Sequence, residues 1–456
     1  MKVLDKYSGS IVGTVSVADE NDVERAIVTA CDSFPEMSEL SAYRRAEILT
    51  QIAGGIKERA EEIAEVIARE AGKAWKYAIG EVNRCVETFT FAAGEARTLH
   101  GETVPMDAST AGEGRFGFWI REPVGVVVAI SPFNFPLNLV AHKVAPAIAA
   151  GCPVVLKPAS WTPITALLLA EIIEETDLPK GAFNVVIGGG STVGKQLVTD
   201  PRPAKVTFTG SPPVGLWIKK NCGMKKVTLE LGSNSGVIID IDADLDLAVE
   251  RCLMGAFANS GQVCISVQRI YLHEKIAKEF TDKFLNGVKK LKIGNPLEKD
   301  TDVGPMIDPA EVERVELWIE DAVSTGAEVL AGGNRINNRV FSPTVLNNVS
   351  SDMKVVKDEV FGPVVSFFTF VDISSAISEL DRSQYGLQAG IFTKQIDHAM
   401  KAIKRINVGG IMINDVPTFR VDHMPYGGNK LSGIGREGLR FAIEEMTQIK
   451  MVCIKL

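Results

Sequence analysis

From residue 124 onward the chain repeats one local pattern: a short apolar run of strand character, a turn rich in glycine or proline, then a helical period. The runs cover 124–130, 154–156, 183–187, 205–209 and 226–229, and the helical patterns between them lie near 137–149, 163–175, just after Ser191, and 213–222. Strands this short and this apolar have no face to leave in water. Joined through helices, they pair side by side in parallel with helices over both faces. The pattern therefore predicts an α/β fold with a doubly wound sheet, which binds ligands at the carboxyl ends of its strands. The dinucleotide motif GxGxxG is absent. The glycine-rich turns GGGSTVG at 188–194 and GSPPVG at 210–215 are weak signals alone.

A second α/β region follows, with helical patterns near 243–259, 274–290, 309–325, 373–381 and 395–406. Its strands are expected near 236–240, 268–272, 327–330, 364–370, 388–392 and 410–413. Ahead of both regions, Asn21 or Asp22 is read as the cap of a first helix. Ser41 is read as the cap of one long amphipathic helix over 42–71, with Ile48, Ile52, Ile56, Ile63 and Ile67 on one face. Thr162 is placed as the cap of the helix that Pro163 opens, and Ser191 as the cap of the helix after it. The stretch 105–123 changes character: glycines break any helix while RFGFWIR alternates like a strand. It is an ordinary surface hairpin or one that pairs with another subunit, and the terminal strand, 449–456, likewise needs an edge.

A chain of 456 residues is too long for one ordinary domain. A net charge of −8 argues against a nucleic-acid footprint. Seven scattered cysteines without a CxxC pair predict reduced thiols in a cytoplasmic protein, and the five dispersed histidines offer no zinc spacing. The start, MKVLDKYSGS, lacks a signal-peptide core, and no apolar run reaches the length of a membrane span.

Several short stretches carry chemistry. In FANSGQVCISVQRI, Cys264 lies between an apolar helix pattern and an apolar strand pattern, at the end of a rigid element where a substrate can reach it. In VTLELGSN, Glu230 is an acid inside a β-type apolar run, where burial raises a carboxyl toward the range of a general base. A cysteine and a desolvated glutamate form a nucleophile and a base without histidine; each alone is more often a core thiol or half of an ion pair. SPFNFP at 131–136 fixes one amide, Asn134, at a strand end, suited to an oxyanion. Lys157 ends the next strand, where it can meet a cofactor hydroxyl or phosphate. Glu359 and Phe361 share the turn DEVFGP, and PYGG followed by SGIGRE enters a late helix.

Together, in this order and over essentially the whole chain, these motifs closely resemble the NAD(P)-dependent aldehyde dehydrogenase superfamily. The resemblance implies Cys264 as nucleophile, Glu230 as general base, and Asn134 with the Cys264 backbone N–H as oxyanion donors. It implies a cofactor, NADP or NAD, held by Lys157 and Glu359 at its riboses, Phe361 at the nicotinamide and Ser211 beside the pyrophosphate. Pro132, Phe133, Ser160, Gly210 and Gly232 complete that set. It also implies a cofactor domain from 1–104 and 124–231, a catalytic domain from 232–430, and a β-arm from 105–123 and 431–456 for a homodimer or homotetramer. Leu-Gly-Ser-Asn stands at 231–234 where many members have Leu-Gly-Gly-Lys. Ser160 stands where NAD-preferring members usually carry glutamate, which leaves room for a 2′-phosphate. The run FRVDHMP at 419–425 looks like that of the lactaldehyde, phosphonoacetaldehyde and non-phosphorylating glyceraldehyde-3-phosphate dehydrogenases. Arg420 in it either binds an anionic or hydroxylated substrate tail or pairs with Asp422 or Asp415. A coenzyme A-acylating enzyme is the alternative, and Glu230 favours hydrolysis.

Overall fold

A computed structural model describes residues 1–456. The five apolar runs and one short added strand, Gly433–Ile434, form a sheet ordered Gly433–Ile434, Lys226–Glu230, Lys205–Thr209, Val127–Ile130, Val154–Lys157, Phe183–Val185. All neighbours are parallel except the short Gly433–Ile434 edge. From Val127–Ile130 the chain winds outward through two strands on one side, then crosses back to Lys205–Thr209 on the other. The order reverses between those two strands, so a crevice opens beyond their carboxyl ends. Helix Asn138–Ala150 lies beneath the sheet with every residue buried, His142 and Lys143 included, and Gly151 ends it at φ +86.

The second sheet is ordered Glu328–Ala331, Thr344–Asn347, Val364–Phe370, Arg269–His273, Gly236–Ile239, Gln388–Phe392, Gly410–Ile413. Only its first pair is antiparallel. The strands match the expected positions within a residue or two, with Thr344–Asn347 added. The chain leaves the first sheet at Glu230 and enters the second at Gly236. The carboxyl ends of one sheet therefore look toward the amino ends of the other.

Four local expectations are corrected. The helix over 42–71 is two, Ala42–Glu58 and Ala60–Ala71, broken at Arg59. The isoleucine period runs on unbroken because both pieces face one core. Asp19, not Asn21 or Asp22, caps the first helix, with Asp22 returning the bond to the Asp19 N–H. The hydroxyl of Thr162 caps nothing; the Glu70 carboxylate takes the N–H groups of Ile164 and Thr165 instead, from across the core. After Ser191 the chain makes a wide π turn, Gly190–Gly194, before the short helix Lys195–Thr199, with no serine cap.

A third sheet stands apart: Thr447–Lys455, Arg115–Pro123, Glu102–Val104. The terminal strand pairs with Arg115–Pro123 in one unbroken antiparallel register, from Thr447 opposite Pro123 to Lys455 opposite Arg115. The partner of the aromatic strand is thus the end of its own chain. Gly117 is required among the aromatics because a Cβ there would come within 2.5 Å of Met106 and 2.8 Å of Met451.

Candidate active site

Cys264 is delivered by a loop under backbone constraint. Helix Leu245–Phe257 ends, and Asn259, Ser260 and Gly261 then hold φ of 51, 56 and 70 in succession. Left-handed backbone at two non-glycine residues is costly and persists only where surroundings enforce it. Here Ser260 Oγ donates to the Gly304 carbonyl at 2.8 Å, and Gln262 Oε1 accepts the Ile307 N–H at 2.9 Å. A Cβ on Gly261 would lie 2.0 Å from the Gly362 carbonyl oxygen, so this loop and the 359–363 turn are seated directly on each other. Asn134 Nδ2 donates to the Gln262 carbonyl at 3.0 Å, fixing that amide beside the cysteine loop, while its Oδ1 has no partner.

Glu230 is the last residue of its strand, and both carboxylate oxygens are buried without a hydrogen-bond partner. Burial, then the neighbouring Glu437 charge, push its carboxyl up to about 8. Burial and the Glu230 charge likewise push the Cys264 thiol well above its ordinary value, against a hydrogen bond from Tyr426 and the charge of Arg420. Tyr426 Oη lies 3.2 Å from Cys264 Sγ.

Cys264, Glu230 and Asn134 line one cavity of about 570 Å³ with Pro132, Phe133, Gly210, Ser211, Gly232, Glu359 and Phe361. A second cavity, of about 740 Å³, holds Lys157 and shares Pro132, Gly210 and Ser211 with the first. The two form one channel across the switch point of the first sheet. Glu359 is half-buried and raised to about 7, chiefly by desolvation; its Oε1 accepts the Ser233 N–H at 2.9 Å. A Cβ at Gly232 would sit 2.2 Å from Glu359 Oε2, so glycine there makes room for that carboxylate. Gly210 has a like reason, since its Cβ would meet the Phe208 ring at 2.5 Å. Phe361, at φ +47, meets Phe133 edge-on with ring centroids 5.8 Å apart. The buried Lys157 ammonium is lowered to about 8 by desolvation, and its one hydrogen bond goes to the Pro158 carbonyl. Ser160 stands outside both cavities; its hydroxyl donates to the Gly188 carbonyl at 3.0 Å.

Arg420 pairs with neither expected aspartate. Asp415 binds Arg251 at 2.7 Å, and Asp422 is taken by Arg84 at 2.6 Å, Asn138 at 3.0 Å and His142 at 2.8 Å. The guanidinium lies instead on the Tyr426 ring, 3.6 Å from its centroid, with Nη2 bound to Glu437 Oε2 at 3.1 Å and Nε buried without a partner. Burial raises Glu437, but Lys143 at 2.9 Å and Arg420 outweigh it and hold the carboxyl well below its ordinary value. Tyr426, Glu437 and Lys143 escaped the sequence reading as site residues. The signal available was the PYGG and SGIGRE glycine pattern, which marked close approach without saying to what.

A model of the aldehyde dehydrogenase family matches residues 1–452. The chain is 47% identical over 456 residues to a 3-sulfolactaldehyde dehydrogenase of Priestia aryabhattai, covering 100% of this chain and 95% of that protein. It is 41% identical to a lactaldehyde dehydrogenase of Methanococcus aeolicus, over 100% of this chain and 97% of the relative. Among solved structures, a glyceraldehyde-3-phosphate dehydrogenase of Methanocaldococcus jannaschii complexed with NADP superposes with TM-score 0.96 at 41% identity, covering 100% and 99% of the two chains. Aldehyde dehydrogenase 21 of Physcomitrella patens, in complex with the reaction product succinate, superposes with TM-score 0.98 at 42% identity, covering 100% and 95%. The chain belongs to the aldehyde dehydrogenase family and is an NAD(P)-dependent aldehyde oxidoreductase.

Proposed function

We propose that this enzyme oxidises a small hydroxylated or anionic aldehyde, of the lactaldehyde kind, to its free carboxylic acid, with Cys264 as nucleophile, Glu230 as base and Asn134 as oxyanion donor. The observation that carries the reading is a buried, unpartnered Glu230 carboxylate in the same cavity as the Cys264 thiol. The Cys264 thiol first loses its proton to solvent; the thiolate sulfur then adds to the carbonyl carbon, and the carbonyl oxygen becomes an oxyanion facing Asn134 Nδ2–H and the Cys264 backbone N–H. Collapse of this adduct leaves a thioester on Cys264. Bound nicotinamide supplies the hydride acceptor for that collapse. Glu230 then takes a proton from water, whose oxygen attacks the thioester and frees the acid.

The channel fits a dinucleotide. Lys157 has donors to spare, Glu359 Oε2 accepts from no group of the chain, and glycines 210 and 232 leave the wall open. Lys157 and Glu359 would hold the two riboses, Ser211 the pyrophosphate, and Phe361 with Pro132 and Phe133 the nicotinamide. Serine at 160 neither crowds nor repels a 2′-phosphate, so NADP is accepted at least as well as NAD. Arg420 Nε is a donor for a polar substrate tail, in keeping with a relative that acts on 3-sulfolactaldehyde.

In domain terms, 1–104 and 124–231 hold the cofactor, 232–430 carry the catalytic loops, and 105–123 with 431–456 form the arm, except that Gly433–Ile434 lies at the edge of the first sheet and Glu102–Val104 joins the arm sheet. The outer edge of Thr447–Lys455 has no strand beside it, and Ile449, Met451 and Ile454 are exposed on it. An edge like that favours a homodimer or homotetramer. Seven free cysteines suit a cytoplasmic protein.

The test is a panel of lactaldehyde, sulfonated, phosphorylated and unsubstituted short aldehydes, with NAD or NADP, with and without coenzyme A. Reduced cofactor and free acid should form without coenzyme A, most efficiently from hydroxylated or anionic members. Acyl-coenzyme A as the product would replace hydrolysis with acyl transfer.

A further inference from the structure

Tyr426 is buried, and its hydroxyl has one hydrogen-bond partner in the chain, the Cys264 sulfur at 3.2 Å. Three contacts fix it there. Its backbone N–H donates to the Glu437 carbonyl at 3.0 Å, and the Glu437 N–H returns the bond at 2.6 Å. Its ring face carries the Arg420 guanidinium, which the same Glu437 binds through its carboxylate. Its side chain shares a small apolar cluster with Val263, Ile265 and Leu387. A phenol clamped this firmly against a thiol has a direction as well as a place.

We propose that Tyr426 is a further catalytic residue of this enzyme, its O–H donating to the Cys264 sulfur in the thiolate state, with Arg420 as the positioning residue that holds the phenol on that line. This rests on the reading of Cys264 as nucleophile. While the sulfur is protonated, either atom can be the donor; once it is a thiolate it can only accept, so the phenol must donate. The need for such a donor follows from what else faces the sulfur. Glu230 and Glu359 are excluded as donors when ionised and repel a thiolate, and burial opposes the charge as well. Arg420 supplies positive charge against this, but it lies on the Tyr426 ring and its charge is partly offset by Glu437.

The test is Tyr426→Phe, which keeps the ring, its packing and the Arg420 stack. Alkylation of Cys264 by iodoacetamide is followed against pH, with the modified residue identified by mass, alongside melting temperature and cofactor binding. A hydrogen bond to a charged acceptor is worth about one decade or more, so the alkylation midpoint should rise by about one pH unit and the rate near neutrality fall about tenfold. Melting and cofactor binding should hold. A second variant carries 3-fluorotyrosine at 426, whose more acidic phenol is a stronger donor, and its midpoint should fall below that of the parent. A midpoint unmoved in both variants overturns the proposal. Turnover surviving in Cys264→Ala would instead overturn the nucleophile reading on which it rests, so the two failures are told apart.

Discussion

Glu70, Glu81, Glu437 and Asp422 are as deeply buried as Glu230, and each is hydrogen-bonded or ion-paired; Glu230 has neither. A buried carboxylate with nothing to bind destabilises the fold when ionised. Its carboxyl sits near 8 in the folded chain against an ordinary 4.5. Between those values the folded state holds a proton that the unfolded state has released, so stability declines as pH rises through that window. Glu230→Gln removes the titration. Its melting temperature should match the parent near pH 4, exceed it increasingly up to about pH 8 and keep that lead above it; a constant difference would mean that Glu230 does not titrate in this range. Arg420→Ala should raise KM for sulfonated or phosphorylated aldehydes by about one to two decades more than for a neutral aldehyde of equal length, the worth of a charge-assisted contact. Equal loss on both would leave Arg420 its hold on Tyr426 alone. Cys264, Glu230 and Asn134 were readable because each stands out against its own neighbours in the chain. Tyr426 and Glu437 were not, since their partners lie 162 and 294 residues away.

At the scale of elements, the sheets were legible because short apolar runs punctuated by glycine and proline have few alternatives. The helix ends were less so. Glu70 serves as the cap that Thr162 was expected to be, across 94 and 95 residues of sequence, and no local pattern announces such a contact. The arm illustrates the same limit: alternation in RFGFWIR gave a strand, and only the fold shows that its partner is Thr447–Lys455. With the proposed subunit contact along the outer edge of that terminal strand, deletion of residues 451–456 should give smaller or insoluble species. Light scattering on the purified protein reads this directly. A truncated protein of parental mass would place the subunit contact elsewhere.

Across the whole molecule, two sheets meet end to end, and the site is assembled from the loops at that junction: 131–136, 210–211 and 230–234 from the first, 259–264 and 359–363 leading into the second. None of these loops is a site alone. Their seating on one another, Gly261 on Gly362 and Gly232 under Glu359, brings a thiol, a free carboxylate and a fixed amide to one cavity. The central claim is that Cys264 carries the acyl group and Glu230 activates the water that removes it. The most direct measurement mixes Glu230→Gln with a reactive aldehyde and NADP, then reads the intact mass after a single turnover. One equivalent of reduced cofactor should appear in a burst, with the acyl mass retained on Cys264 and little further turnover. Undiminished steady turnover with no added mass on Cys264 would contradict it.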